Sequence, residues 1–376
     1  MPSDQLLGQK LGMRVTFTEN QGFRKELNKR VDAYFTENGI PTRDNFAMYL
    51  KTITILTWVI AAWLFVLFGP DIWWLKIIGC LVLGGGLAGI GFSIGHDANH
   101  GGYSSKKWVN SLLGMTYDYI IGTSSYLWRF RHNYLHHTYT NVLGYDVEIH
   151  GDGIVRMTPH AEHKWYHRYQ HLFIPILYAI IPIYWSFSDV RSILFCNRFG
   201  EIKIPNPKPI DLFVLLSGKV VYLFWFIGIP LLVGYSPLEI AIGFLIAFMT
   251  YGVLACHVFM LAHVLEPAEF IQPSAANQIE DEWAIFQVRT TVDFAPKNAF
   301  LNWYLGGLNY QVVHHLFPQI CHIHYPQIAP ILAEVCQEFG VNYAVYPTLR
   351  GALAYNYRWL RQLGNKQSNF DLKLAS

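Results

Sequence analysis

The 376-residue sequence predicts an all-α integral membrane protein. Four transmembrane helices in two hairpins, plus an interfacial or re-entrant segment, are expected to be capped by a cytoplasmic helical domain holding a metal site. Three observations lead there. Hydrophobic residues make up 52% of the chain and charged residues only 14%, against about 25% charged in a soluble domain. Several uncharged runs approach the ~20 residues that a spanning helix needs. Three clusters lie beside such runs or in the polar stretches after them: His96-Asp97-Ala98-Asn99-His100, His132-Asn133-Tyr134-Leu135-His136-His137 and Gln311-Val312-Val313-His314-His315.

The segments follow in order. Residues 1–49 are polar and mixed in charge, with no apolar core of a signal peptide, so the first span is expected to target the chain. Residues 50–95 read as a first hairpin: Thr52 to Phe68 and Ile77 to Gly95 are uncharged and turn at Gly69-Pro70-Asp71. Residues 96–210 form a polar cap with the first two clusters. Inside it, 172–187 is uncharged but short and carries Pro175 and Pro182. Residues 211–263 form a second hairpin turning at Gly234-Tyr235-Ser236-Pro237, and Lys219 within it should snorkel or face protein. Residues 264–376 contain nothing long enough to span and form a C-terminal lobe with the third cluster.

One metal site needs all three clusters on one face of the membrane. An even number of crossings must then separate His137 from His314. Three apolar segments lie between them, so the weakest, 172–187, is expected not to cross. Lys10, Arg14, Arg24, Lys25, Lys29, Arg30, Arg43 and Lys51 precede the first span, and the two turn sequences carry no Lys or Arg. The positive-inside rule therefore places both termini and the clusters in the cytoplasm.

Net charge is +2, too small to argue for nucleic acid as a partner. Cys80, Cys196, Cys256, Cys321 and Cys336 form no C-x-x-C pair, which speaks against a zinc ribbon, an iron–sulfur cluster or a disulfide framework. They read as reduced, packed thiols.

The clusters carry the chemistry. Imidazole suits iron, copper, nickel and zinc. His96 and His100 are four apart, as are His132 and His136, so each pair shares a helix face with ~5–6 Å between Cβ atoms. His137 adds an imidazole turned about 100° round the helix. Gln311 precedes His314 and His315 by three and four. Seven cluster histidines exceed the four ligands of a closed zinc site, and two metal ions account for them more simply. His263, at the mouth of the last span, is expected to be a further ligand. His257, deeper in the same helix, is expected to be packed and hydrogen-bonded. His150, His160, His163, His167 and His171 sit among Lys164, Arg168, Trp165 and Tyr166 and read as a solvated or interfacial face. Lys106, Lys107, Arg129, Arg131 and Lys164 read as scattered surface bases.

A dinuclear iron site against a bilayer could use dioxygen to attack an unactivated C–H bond, and acyl chains are the abundant substrates there. Three outcomes fit: a desaturase; a hydroxylase, ketolase or epoxidase on the same scaffold; or, remotely, a histidine-rich metal transporter. Transport needs ligands near mid-membrane, and only His257 lies inside a span.

From His96 to about Tyr343 the chain resembles the membrane fatty acid desaturase family. His96-Asp97-Ala98-Asn99-His100, Arg131 to Asn141, and Gly306 to Pro318 resemble its three histidine boxes. Gln311 at the head of the third resembles the front-end subgroup, which includes linoleoyl-CoA and delta-6 type enzymes. The resemblance implies a non-haem di-iron centre ligated by His96, His100, His132, His136, His137, His263, His314 and His315. Gln311 stands where a further family histidine ligates. Dioxygen is the implied co-substrate, a cis double bond and water the products, and a CoA- or lipid-linked acyl chain in the membrane lipid the substrate. Asp97, Asn141 and Asp146 could orient ligating imidazoles; Glu148 reads as a solvated surface position. The 49-residue head carries no His-Pro-Gly-Gly haem motif. Electrons are therefore expected from a separate cytochrome b5, or from a ferredoxin with its reductase. Phe286 and Asp293 stand where many relatives have histidine and asparagine.

Overall fold

The computed structural model describes residues 15–18, 21–199 and 202–365; Lys10 and Arg14 of the basic flank lie outside them. Among these residues five helices are long and apolar enough to cross a membrane: α1 (Phe46–Phe68), α2 (Trp73–His100), α3 (Trp165–Cys196), α4 (Pro209–Val233) and α5 (Pro237–His263). The first hairpin is α1 with α2, and the second α4 with α5. Shorter helices carry the remaining boxes, and of three two-residue strand pairs two join segments distant in sequence. The parallel pair Asp293–Phe294 with Val345–Tyr346 ties the approach to the third box to the C-terminal lobe.

Local chemistry sets these limits. Asn45 caps α1, its side chain accepting from the Ala47 amide. Ser236 and Glu239 form a capping box at the start of α5, with Pro237 at its first position. At 27 residues α5 is about 40 Å long, enough for a hydrocarbon core of ~30 Å. α2 is the innermost helix, 72% of its apolar window being buried. It reaches that position through small residues. A Cβ on Gly84 would lie 2.4 Å from the Ala247 carbonyl oxygen of α5, so only glycine lets the two backbones meet here.

Three expectations change. The segment expected to be short at 172–187 is part of α3, whose α-helical portion runs Gln170–Arg191 through Pro175 and Pro182. α2 does not end before the first box: a π-helical turn, Ile90–Gly95, leads straight into His96–His100. Lys51 is no surface flank cation but is 1% exposed. Lys219 faces protein, its ammonium donating to the Gly122 carbonyl. Lys76, one turn beyond the first tip, donates to the Val66 carbonyl at 2.7 Å and to the Tyr235 hydroxyl at 2.6 Å. Cys80, Cys256, Cys321 and Cys336 are buried free thiols, and Cys196 is exposed.

Candidate metal centre

The end of α2 delivers His96 and His100 on one face. The second box follows Ser125–Trp128 as a π-helix, Arg129–His136. Its widened turn is visible in the His137 amide, which donates to the carbonyl of His132, five residues back, at 3.0 Å. An α-helix would turn His137 away from His132. The π-turn instead brings both His136 and His137 alongside it, with ring centroids 5.2 and 4.8 Å away. The third box is the short helix Gln311–Leu316. It is pressed onto α2 by Gly306, where φ is +63° and a Cβ would fall 2.2 Å from the Phe92 carbonyl oxygen.

The structure gathers the candidate histidines into two groups. His96, His100, His132 and His314 offer nitrogens within 4.8 Å of one another, and so do His136, His263 and His315. His137 lies between the groups. Its Nε2 is 3.2 Å from Nε2 of His132 and 3.0 Å from Nε2 of His314, and its ring stacks on His315 at 4.3 Å. All eight rings and Gln311 are buried. Gln311 places its amide nitrogen 3.3 Å from Nε2 of His263.

These residues fit metal ions. Burial, and then repulsion by neighbouring imidazoles, holds His132, His137, His314 and His315 well below the usual histidine range. Each is therefore neutral and carries a lone pair. Buried ring nitrogens of His96, His100, His136, His263 and His315 have no hydrogen-bond partner among the described residues. Unpartnered buried polar atoms are costly, and so many facing one another suit cations better than any hydrogen-bond network.

Outer nitrogens are held from behind. Nδ1 of His136 is 2.9 Å from Asp146, and Nδ1 of His315 is 2.8 Å from Gln287. Nδ1 of His314 is 3.3 Å from the Tyr325 hydroxyl. Trp128 stacks on His132 with centroids 4.4 Å apart and edges onto His96 and His100. Of these partners the sequence pointed to Asp146 alone. Asn141 differs from expectation: its amide donates to the backbone carbonyls of His263 at 3.0 Å and Thr290 at 3.2 Å, not to a ring. Asp97 reaches away from the centre, to His322 at 2.7 Å, with His96 Nδ1 at 3.7 Å. Glu148 is not solvated; both its oxygens accept from Arg131 at 3.1 Å.

His257 is packed as expected, bonded to the Val253 carbonyl at 2.7 Å and the Tyr357 hydroxyl at 2.9 Å. His160 and His163 bond the Phe270 and Gly364 carbonyls at 2.7 and 2.8 Å. His150 is exposed, whereas His167 is buried. Phe286 packs on Phe17, and Asp293 accepts from the Val312 amide at 2.8 Å, holding the third box.

A cavity of about 470 Å³ opens beside the first group. His96, His132, Trp128 and Gln311 line it, and Phe259 and Tyr178 are among its mostly apolar walls.

Residues 71–347 match the family model described as fatty acid desaturase. The chain belongs to the fatty acid desaturase family. The desaturase is 61% identical to the sn-1 linoleoyl-lipid 6-desaturase of Arthrospira platensis, over 93% of this chain and 95% of that protein. It is 54% identical to the sn-1 linoleoyl-lipid 6-desaturase of Synechocystis, over 93% and 98%. The acyl-lipid (8-3)-desaturase of Physcomitrium patens is 32% identical over 94% and 74%. The desaturase is therefore a multi-pass membrane oxidoreductase of lipid metabolism. Its buried histidine groups are those of an enzyme, and the transporter reading falls away.

Proposed function

We propose that this desaturase inserts a cis double bond at the 6 position of a linoleoyl chain esterified to a membrane glycerolipid. The observation that carries this reading is the apolar cavity lined in part by His96 and His132 of the first histidine group. Its walls include Ile180 and Tyr184 of α3, and these side chains are also exposed on the molecule's apolar surface. An acyl chain can thus slide in from the bilayer while its glycerol backbone stays outside. Substrate class and position follow the two relatives that share more than half of this sequence.

Two iron ions would be held by His96, His100, His132, His136, His137, His263, His314 and His315, with Gln311 beside His263. Bound there, they would supply dioxygen activation, removing one hydrogen from each of two adjacent methylenes, with two electrons from a separate cytochrome b5 or ferredoxin. The chain's own residues position and exclude. Phe259, Val258 and Met260 present an apolar wall against which the chain packs dry. Arg131, paired with Glu148 and lying 4.7 Å over the Trp185 ring, closes the polar rim.

The histidine groups, the termini and the cap share one face, the cytoplasmic one, and α3 lies in the interface. Parity supports this: the second and third boxes meet in one site, so only two of α3, α4 and α5 can cross. Both ends of α3 also bond to the polar stretch between the hairpins. The Gln170 side chain accepts from the Arg156 amide at 2.8 Å, and Asp189 accepts from the Ser124 amide at 2.6 Å. Between those ends Leu172, Ile176, Ile180, Tyr184 and Phe187 form one exposed stripe, suited to acyl chains beneath an in-plane helix.

Expression in a host that makes linoleoyl lipids but lacks this activity tests the reading. Double-bond mapping should show a new cis bond at position 6 in glycerolipid-bound chains. A new bond elsewhere, or only in the CoA pool, would contradict it.

A further inference from the structure

A second buried polar cluster lies behind the first box. Lys51, near the start of α1, has its ammonium 2.8 Å from Nε2 of His322. Nδ1 of His322 donates to Asp97 Oδ2 at 2.7 Å, and the His322 amide donates to the same oxygen at 3.2 Å. Asp97 Oδ1 is left facing Nδ1 of His96 at 3.7 Å. Lys51, His322 and Asp97 are 1%, 2% and 3% exposed. A lysine this enclosed is rare unless it is paired.

Asp97, Cys321 and His322 bring one oxygen, one sulfur and one nitrogen within 4.8 Å of one another, as a further metal site would. Two facts argue against that use. Both ring nitrogens of His322 already have partners, and the Lys51 ammonium points into the cluster, where it would repel a cation.

Comparison with the other rings indicates what the cluster does. His136, His315 and His314 each have an outer nitrogen held by a neighbouring side chain. His96 has no hydrogen-bond partner on either ring nitrogen among the described residues; the carboxylate that faces it is that of Asp97. That carboxylate can swing unless its other oxygen is fixed. We infer that His322 and Lys51 are positioning residues for the metal centre, clamping Asp97 so that its free oxygen aims the ring of His96. The clamp joins three segments distant in sequence: the start of α1, the first box and the loop after the third. Donors run one way, from Lys51 to His322 Nε2 and from His322 Nδ1–H to Asp97, so one neutral tautomer of His322 serves both contacts.

The inference rests on His96 being a metal ligand. The test uses full-length protein with His322→Leu, His322→Asn and Lys51→Met. Iron per chain, the Mössbauer spectrum and thermal unfolding of the metal-stripped protein are measured. Loss of an outer partner commonly weakens metal binding about 10- to 100-fold. His322→Leu and Lys51→Met should lose iron to a chelator by that factor and broaden the spectrum of one site. His322→Asn, whose amide N–H reaches the Nδ1 position, should restore both toward wild type. Wild-type iron retention and spectrum in both the His322→Leu and the Lys51→Met proteins would overturn the inference. So would an asparagine variant no better than the leucine one, which would make the cluster a packing element. If His322→Leu does not fold, Lys51→Met against wild type decides alone. A third metal ion lost selectively on changing His322 would overturn it by making His322 a ligand. Wild-type protein that holds no iron would sink the proposed metal centre and the clamp together.

Discussion

His136 and His315, in one group of the centre, present the same arrangement. In each, Nδ1 is engaged by a buried polar side chain and Nε2 is left facing the other imidazoles. The outer bond fixes the tautomer and the ring angle, which raises affinity without adding a ligand. Asp146→Ala should therefore lower iron affinity about 10- to 100-fold in a chelator competition, with secondary structure retained. Unchanged affinity would remove Asp146 from the centre. The ligand candidates were legible because their spacing is local: four residues within a box bring two rings to one face. Gln287, Tyr325, His322 and Lys51 were not. Each meets its partner across 11 to 271 residues of sequence, and a single polar residue in an apolar or mixed run carries no period.

At the scale of elements, both hairpins could be read from long apolar runs, the second interrupted by Lys219, that turn at Gly-Pro and Ser-Pro. The π-turns could not. An i→i+5 turn needs no particular residue, and it is stabilised by what it places: His132, His136 and His137 on one side. The glycines of α2 were visible as residues but not as a contact, because the partner surface lies on α5. Gly84→Leu should force α2 off α5 and lower the unfolding temperature in detergent, at a cost of about 1–3 kcal/mol or more. Gly243→Ala, whose Cβ would meet only Cys80 Sγ at 3.5 Å, should be near neutral. Equal effects from both would mean that the close approach at Gly84 contributes nothing particular. α3 was read as short because its uncharged run spans only 172–187, with two prolines inside it. Pro175 and Pro182 are instead accommodated inside a helix that packs on α5.

The whole molecule is organised by convergence: three boxes from separate parts of the chain close on one site, and that constrains the topology more than hydropathy does. If α3 lies in the interface, cysteines at Lys203 and Ser236 should be labelled from opposite faces of the membrane, in a Cys196→Ser background. Labelling of both from one face would mean that α3 crosses. Stability should also depend on pH through Asp118, outside the long helices. Burial raises its carboxyl to about 6 from 3.8, against the opposing pull of the Ser125 amide, Arg129 and Lys219. The folded state then binds a proton that the unfolded state has released. That stabilisation is full below about 3.8 and is lost as pH rises through about 6. Asp118→Asn should flatten that slope in thermal unfolding curves, and an unchanged slope would assign it to another group.

Under the proposed function eight buried histidines, with no acidic ligand among the described residues, would hold a pair of iron ions beside an acyl cavity. Metal analysis with Mössbauer spectroscopy on purified protein tests it most directly. Two irons per chain in nitrogen-rich sites are expected, lost together with activity on His136→Ala or His315→Ala. One iron or none in active protein, or full activity in either alanine variant, would contradict it.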